Sequence, residues 1–248
     1  MSTLVLALAA GAVIGLALGA LGGGGSVLTV PALIYLVGFT PAAATTASLI
    51  IVTATSATAL YAHAASGNVR WRTGALFAAA GIPPAIGAGT LAARVPEAVL
   101  TAAFAVIAAL AALVMLRPSR SGRRPAPVRP ARAAGAGAGL GAVTGFLGVG
   151  GGFLAVPALT SVLGLRMRAA AGTSLLVITA NSLAALLART GTHVPLPWEV
   201  IAPFTGAAIL GARDGQRLAA KLSGPTLQRI FALALLAVAA LMLTDAIR

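Results

Sequence analysis

The chain has 248 residues, of which 59% are apolar and 8% charged, with a mean hydropathy of +1.00 and no cysteine. A soluble domain of this size carries about 25% charged residues, so this one lacks the polar side chains to cover a globular surface in water. A soluble enzyme, a disulfide-stapled secreted scaffold and a disordered tail are excluded. What remains is an all-α polytopic protein whose helices lie in lipid.

A hydrocarbon core about 30 Å thick needs roughly 20 apolar residues per helix. Apolar runs fall at about 3–21, 26–38, 43–64, 73–93, 97–116, 133–147, 152–164, 169–188, 197–219 and 226–244. The first begins M-S-T-L-V-L without the basic flank of a signal peptide, and its glycine pattern returns later in the chain, so it is predicted to be mature structure. The runs 26–38 and 152–164 are short, and each directly follows a glycine cluster.

The net charge of +13 comes almost entirely from arginine. Six fall in one stretch, Arg117, Arg120, Arg123, Arg124, Arg129 and Arg132, among four prolines and no apolar run. This stretch is predicted to be a cytoplasmic loop, because short loops rich in Arg and Lys are retained on that side. No aromatic side chains interleave the charges, so no nucleic-acid partner is expected.

The halves repeat. A shift of 126 positions lays Gly11, Gly15, Gly19, Gly22, Gly24, Gly25 and Pro31 onto Gly137, Gly141, Gly145, Gly148, Gly150, Gly151 and Pro157. About 23 of the 50 positions from 11 to 60 are identical, where this composition gives roughly six by chance. One further residue of shift aligns Trp71 with Trp198 and Phe104 with Phe231. The predicted organisation is a first transmembrane repeat over 1–116, the Arg/Pro-rich loop over 117–132 and a second repeat over 133–248. Each repeat holds about four spans plus a glycine-broken segment.

Charge distinguishes parallel from inverted copies. With four crossings per unit, both halves share one orientation, and Arg166, Arg168, Arg217, Lys221 and Arg229 lie outside. If the broken segment makes a hairpin or crosses twice, the halves are inverted. Those residues then join Arg70, Arg72 and the six-arginine loop inside. Only Arg94, Arg189 and Arg248 stay outside, beside Glu97, Glu199 and Asp245. The charge count favours inversion.

Three glycines at a spacing of four, Gly11-Gly15-Gly19 and Gly137-Gly141-Gly145, are expected to allow close helix crossing. Gly22–Gly25 and Gly148 to Gly152 differ, because successive glycines break a helix, and an irregular backbone at membrane depth survives only inside protein or beside water. The helix that resumes would aim its N–H groups at a cavity and favour an anion there. Gly22, Gly24, Gly25, Ser26, Gly148, Gly150, Gly151 and Gly152 are therefore candidate substrate-binding residues, with Pro31 and Pro157 as helix-breaking positions. A hydroxyl cluster follows each break, with Ser48 matched to Ser174 and Asn181 opposite Thr55, so Ser48, Thr173, Ser174 and Asn181 join the candidate site.

Asp214 is expected to pair with Arg217, three residues on, as a structural anchor toward one interface; in the alternative reading it is the carboxylate available for proton coupling. His63 ends a span and His193 lies in a loop, neither with a metal-ligating companion at useful spacing, so no metal and no cofactor are expected.

The doubled G-x-x-G-x-G-G-[SG]-x-[LI]-x-V-P-x-L motif, with its following hydroxyl segments, resembles the TauE/SafE family of membrane anion permeases. The likeness covers essentially the whole chain outside 117–132. It implies export or import of sulfur-containing oxyanions such as sulfite and organosulfonates, and it carries the glycine motifs and Ser48, Thr173 and Ser174 over to this sequence. Ala47 stands where the second half has Thr173, so the two hydroxyl segments are not symmetric. The expected function is a secondary transporter in the plasma (inner) membrane, working by alternating access, with a small oxyanion and the bilayer as partners and a homo-oligomer compatible with it. An anion channel or a non-transporting assembly subunit is the alternative.

Overall fold

A computed structural model describes residues 2–92, 95–116, 129–146, 152–188 and 195–247. Every element among them is helical: α1 (Ser2–Leu21), α2 (Gly24–Pro31), α3 (Pro41–Ala65), α4 (Trp71–Ala92), α5 (Glu97–Leu116), α6 (Pro130–Phe146), α7 (Gly152–Pro157), α8 (Met167–Ala188), α9 (Trp198–Lys221) and α10 (Gly224–Ile247). Among the described residues four stretches are long and apolar enough to cross a membrane by themselves, namely Leu4–Leu21, Ala43–Ala65, Met167–Leu187 and Gly224–Leu241. Helix α6 begins at Pro130, a little before the predicted apolar run, because proline fits the first helical position, where no N–H is required.

The two short predicted segments are each compound. After Pro31 the α-turns of α2 widen into a π-turn, Ala32–Leu36, and after Pro157 those of α7 widen into Ala158–Val162. The prolines thus sit at a change of helical register, and the chain stays helical for a further turn. Gly38 and Gly164, both at positive φ, end these segments.

Helix packing is set by glycine. Gly11, Gly15 and Gly19 of α1 face Phe204, Ala208 and Ala212 of α9, so closely that a Cβ on any of them would enter the facing backbone. Gly137, Gly141 and Gly145 of α6 meet Phe77, Gly81 and Ala85 of α4 in the same way. Residue numbers rise together in both contacts, so α1 runs parallel to α9 and α6 parallel to α4. Helices α3 and α8 run antiparallel, since Ser56 meets Thr179 while His63 lies against Gly172. Gln228, in the second turn of α10, reaches the Met115 carbonyl in the last turn of α5 at 2.5 Å, which sets those two helices antiparallel. A core of Phe104, Ala108, Ala112, Phe231, Leu235 and their neighbours fills their interface.

These directions gather charge. One end of the bundle receives the starts of α4, α6, α8 and α10 and the ends of α3 and α9. It carries Arg70, Arg72, Arg129, Arg132, Arg166, Arg168, Arg217, Lys221 and Arg229. Glu97, Glu199 and Asp245 belong to helix ends at the opposite face. Arg94, Arg189 and Arg248 lie outside the described residues.

The α1–α9 contact generates a stability test. Gly15→Val is expected to destabilise the protein by about 1–3 kcal/mol or more through overpacking, read as a lower melting temperature in detergent. Gly206→Ala, on the same α9 but with open space at its Cβ, should not lower the melting temperature, since alanine favours the helix over glycine.

Candidate functional site

The break between α1 and α2 is built on two glycines. Gly22 takes φ +76° and donates its N–H to Leu18 O at 2.8 Å, closing α1 in the left-handed conformation that glycine adopts without strain. Gly23 then caps α2, which restarts at Gly24. Gly22 also lies so near α8 that a Cβ would come within 2.5 Å of the Ala171 backbone, so the site requires glycine for conformation and for space.

Ser174 fastens this break to α8. Its buried hydroxyl donates to Gly22 O at 2.7 Å and shares the same proton with Ala171 O at 2.8 Å. Thr173, fully buried beside it, accepts the Arg70 N–H at 3.0 Å and so ties the start of α4 to α8. Gly172 brings α8 against Asn68 O and the His63 Cβ. Three consecutive residues of α8 therefore hold the α1 break, the α3–α4 link and the end of α3.

Further along the α3–α8 seam, Ser56 and Thr179 share a hydrogen bond of 2.9 Å. Each hydroxyl also reaches a carbonyl of its own helix, Thr179 to Leu175 O at 2.7 Å and Ser56 to Thr53 O at 3.3 Å, so either can be the donor between them. Close to this level Asn181 carries a buried Oδ1 with no hydrogen-bond partner, and Thr55 is buried and donates to Ile51 O. An unpaired amide oxygen in the interior costs about 1–3 kcal/mol, which marks Asn181 as a position poised for a partner.

The candidate residues divide accordingly. Gly22 and Ser174 touch, with Thr173 adjacent to that contact. Ser48 is buried on α3 and donates to Thr45 O of its own helix at 2.8 Å. Gly24 and Gly25 form the first turn of α2, while the Ser26 side chain lies outside the described residues. Gly152 opens α7 and is buried; Gly148, Gly150 and Gly151 lie outside the described residues. Asp214 stands exposed on α9, 3.3 Å from the exposed Arg217 guanidinium, the spacing of a helix-surface pair. Arg168 donates to the Ala220 and Leu222 carbonyls at 3.0 and 2.9 Å, closing the last turn of α9. His63 is the participant the sequence reading set aside: its ring reaches the Gly19 carbonyl at 3.2 Å, forty-four residues earlier in the chain.

Two cavities among the described residues lie elsewhere and have other chemistry. A groove of about 440 Å³ between α5, α6 and α7 is almost wholly apolar, with Leu110, Leu140 and Leu154 among its walls. A smaller one of about 30 Å³ lies between α1, α2 and α10 and is lined only by apolar residues such as Leu28 and Phe231. Ser161 in the wall of the larger groove is the one polar side chain between them. Among the described residues no group of three metal-ligating side chains comes together.

A family model described as "Sulfite exporter TauE/SafE" matches residues 7–242. The chain belongs to this family. Two relatives from Xylella fastidiosa, strains 9a5c and Temecula1, each bearing the name "Probable membrane transporter protein", are 35% identical over 249 residues, covering 96% of this chain and 94% of the relative. No solved structure matches the chain. A TauE/SafE member is a multi-pass membrane protein of a transporter family, not of an enzyme family.

Removing the fastening at the break should be measurable. Ser174→Ala leaves the Gly22 carbonyl without its cross-helix donor, at an expected cost of about 1–3 kcal/mol in thermal unfolding. Thr58→Ala, whose hydroxyl bonds only the Ala54 carbonyl of its own helix, should change stability by less than about 0.5 kcal/mol.

Proposed function

We propose that this TauE/SafE member is a secondary transporter that moves a small sulfur-containing oxyanion, sulfite or an organosulfonate, across the plasma membrane. It works by alternating access between two inverted halves, 1–116 and 133–248. The observation that carries this reading is the paired geometry of the bundle. Under the sequence shifts of 126 and 127, α1 against α9 and α6 against α4 are one contact made twice, glycine for glycine. The matched helices α3 and α8 run antiparallel, as an inverted pair requires. The same arrangement gathers nine basic residues on one face, in line with a cytoplasmic location for that face.

The substrate site is assigned to the first glycine break and the α3–α8 seam, with Gly148 to Gly152 as the matching segment in sequence. Inverted-repeat transporters hold substrate near the midplane at discontinuous helices, whose N-terminal ends point at anionic groups. Here the N–H groups of the Gly24-Gly25-Ser26 turn supply the donors, with Thr173 and Ser174 at that end of the α3–α8 seam, Asn181 midway along it and Ser48 toward its other end; Gly150, Gly151 and Gly152 are their counterparts in sequence. The two serine protons bond carbonyls in the present conformer. Opening of the break against α8 releases the Ser174 proton for substrate, so binding and the conformational change share one hydrogen bond.

Proteoliposomes test this directly. Sulfite or sulfonate uptake should saturate and should be accelerated by unlabelled anion inside the vesicles, and Gly24→Val or Gly150→Val should lower the rate at least about tenfold with folding retained. Flux that neither saturates nor shows trans-stimulation identifies a channel, and no flux for any oxyanion identifies a non-transporting subunit.

A further inference from the structure

Among the described residues His63 is the only titratable side chain that is buried, with 5% of its surface exposed. It sits two residues before the end of α3, where α1, α8 and the α3–α4 link converge. Its Nε2 lies 3.2 Å from Gly19 O in the last turn of α1. A carbonyl only accepts, so Nε2 carries a proton and donates, and this assigns the tautomer. Nδ1 is then a bare lone pair, and it is buried with no hydrogen-bond partner.

A buried acceptor without a donor has two chemical remedies. A protonated oxyanion can donate to it, or it can take up a proton and hold an anion through the new N–H. Both describe one assembly, a proton shared between imidazole and oxyanion. An anion beside the ring would offset the cost of charging it in the interior. The Gly19 carbonyl belongs to the C-terminal, negative end of the α1 dipole, which stabilises a cation. The Gly22–Gly23 break lies only three residues further along the same chain.

No other charge on the neighbouring elements is positioned to do this. Helix α1 carries no titratable side chain. On α8 and just before it the charged groups are Arg166 and Arg168, both exposed, the latter donating to α9 carbonyls. On α9 they are Arg213, Asp214, Arg217 and Lys221, all exposed. On the α3–α4 link and the start of α4 they are Arg70 and Arg72, again exposed.

We propose that His63 is the proton-carrying member of the anion site: Nδ1 takes a proton from the side that supplies the anion, the imidazolium holds the oxyanion beside the glycine break, and both leave together. This rests on the anion-permease reading above. Only an N–H bond is made and broken, and one proton accompanies each anion.

The test uses the full chain in lipid nanodiscs with 15N-labelled histidine and His193→Gln, which leaves His63 as the sole imidazole of the two in the chain. Sulfite or methanesulfonate added at constant pH should move the Nδ1 resonance from the bare-nitrogen position to the protonated one. In proteoliposomes His63→Gln, which keeps a donor for Gly19 O but cannot carry a proton, should lose the acceleration of uptake by an acid-outside pH gradient, and its anion exchange should fall as well, because the ring that holds the oxyanion is gone. Anion exchange by the wild-type chain with an unresponsive Nδ1, or gradient-driven uptake persisting in His63→Gln, overturns the proposal and leaves the permease reading standing. Should the wild-type chain neither bind nor exchange any oxyanion, the permease reading fails and this proposal with it. If His63→Gln does not fold, the nanodisc spectrum, recorded on the native ring, decides alone.

Discussion

Everything in this bundle depends on backbone meeting backbone across glycine. A chain with 8% charged residues has few strong side-chain interactions with which to lock its helices, and in lipid the apolar effect gives helices no preference for one another. Close packing and short polar contacts must supply the specificity. Along α1–α9 and α4–α6 they do so through six glycines that admit the facing backbone where any Cβ would collide. Two rigid pairs result, each joining a helix from one half of the chain to a helix from the other.

Once those pairs are fixed, the other directions follow. Parallel α1–α9 and α4–α6, together with antiparallel α3–α8 and α5–α10, turn the two ends of the bundle into a basic face and a face where acidic residues begin or end helices. The α3–α8 seam, running through the middle, collects the polar residues that lipid cannot solvate. Most of their hydroxyls donate to carbonyls of their own helix, and a few contacts reach across: Ser174 to the Gly22 carbonyl, the Ser56–Thr179 hydroxyl pair, and the His63 ring to the Gly19 carbonyl. These cross-helix bonds join α1, α3 and α8, and on the alternating-access proposal they are the contacts that a transport cycle exchanges.

Much of this was legible in the residues. The apolar runs 3–21, 26–38 and 152–164 correspond to α1, to α2 with its π-turn and to α7 with its π-turn, because length and hydropathy alone specify a lipid-embedded helix. The triple glycines were recognisable as a close-contact surface from their spacing of four. Their partners were not, because α9 lies almost two hundred residues from α1 and no local signal encodes that distance. The π-turns after Pro31 and Pro157 escaped as well, since proline removes a local N–H without dictating how the next turn is wound. His63 was missed for a tertiary reason: a histidine near the end of a span normally reaches water, and this one is covered because Gly172 lets α8 close over it. Ser174 was legible as a polar position in a repeat, but its bond to Gly22 belongs to packing between the halves.

The proposed function follows from the same scarcity of charge. An anion in this interior meets backbone N–H groups, hydroxyls, an amide and one imidazole, while the arginines stand at the end of the bundle. A structure of the chain in nanodiscs with bound selenite, a heavier oxyanion of the same shape and charge as sulfite, separates these possibilities most directly. The account predicts selenium density against the Gly24-Gly25-Ser26 turn and the α3–α8 seam. Density confined to the arginine-rich face, with the glycine breaks empty, contradicts it.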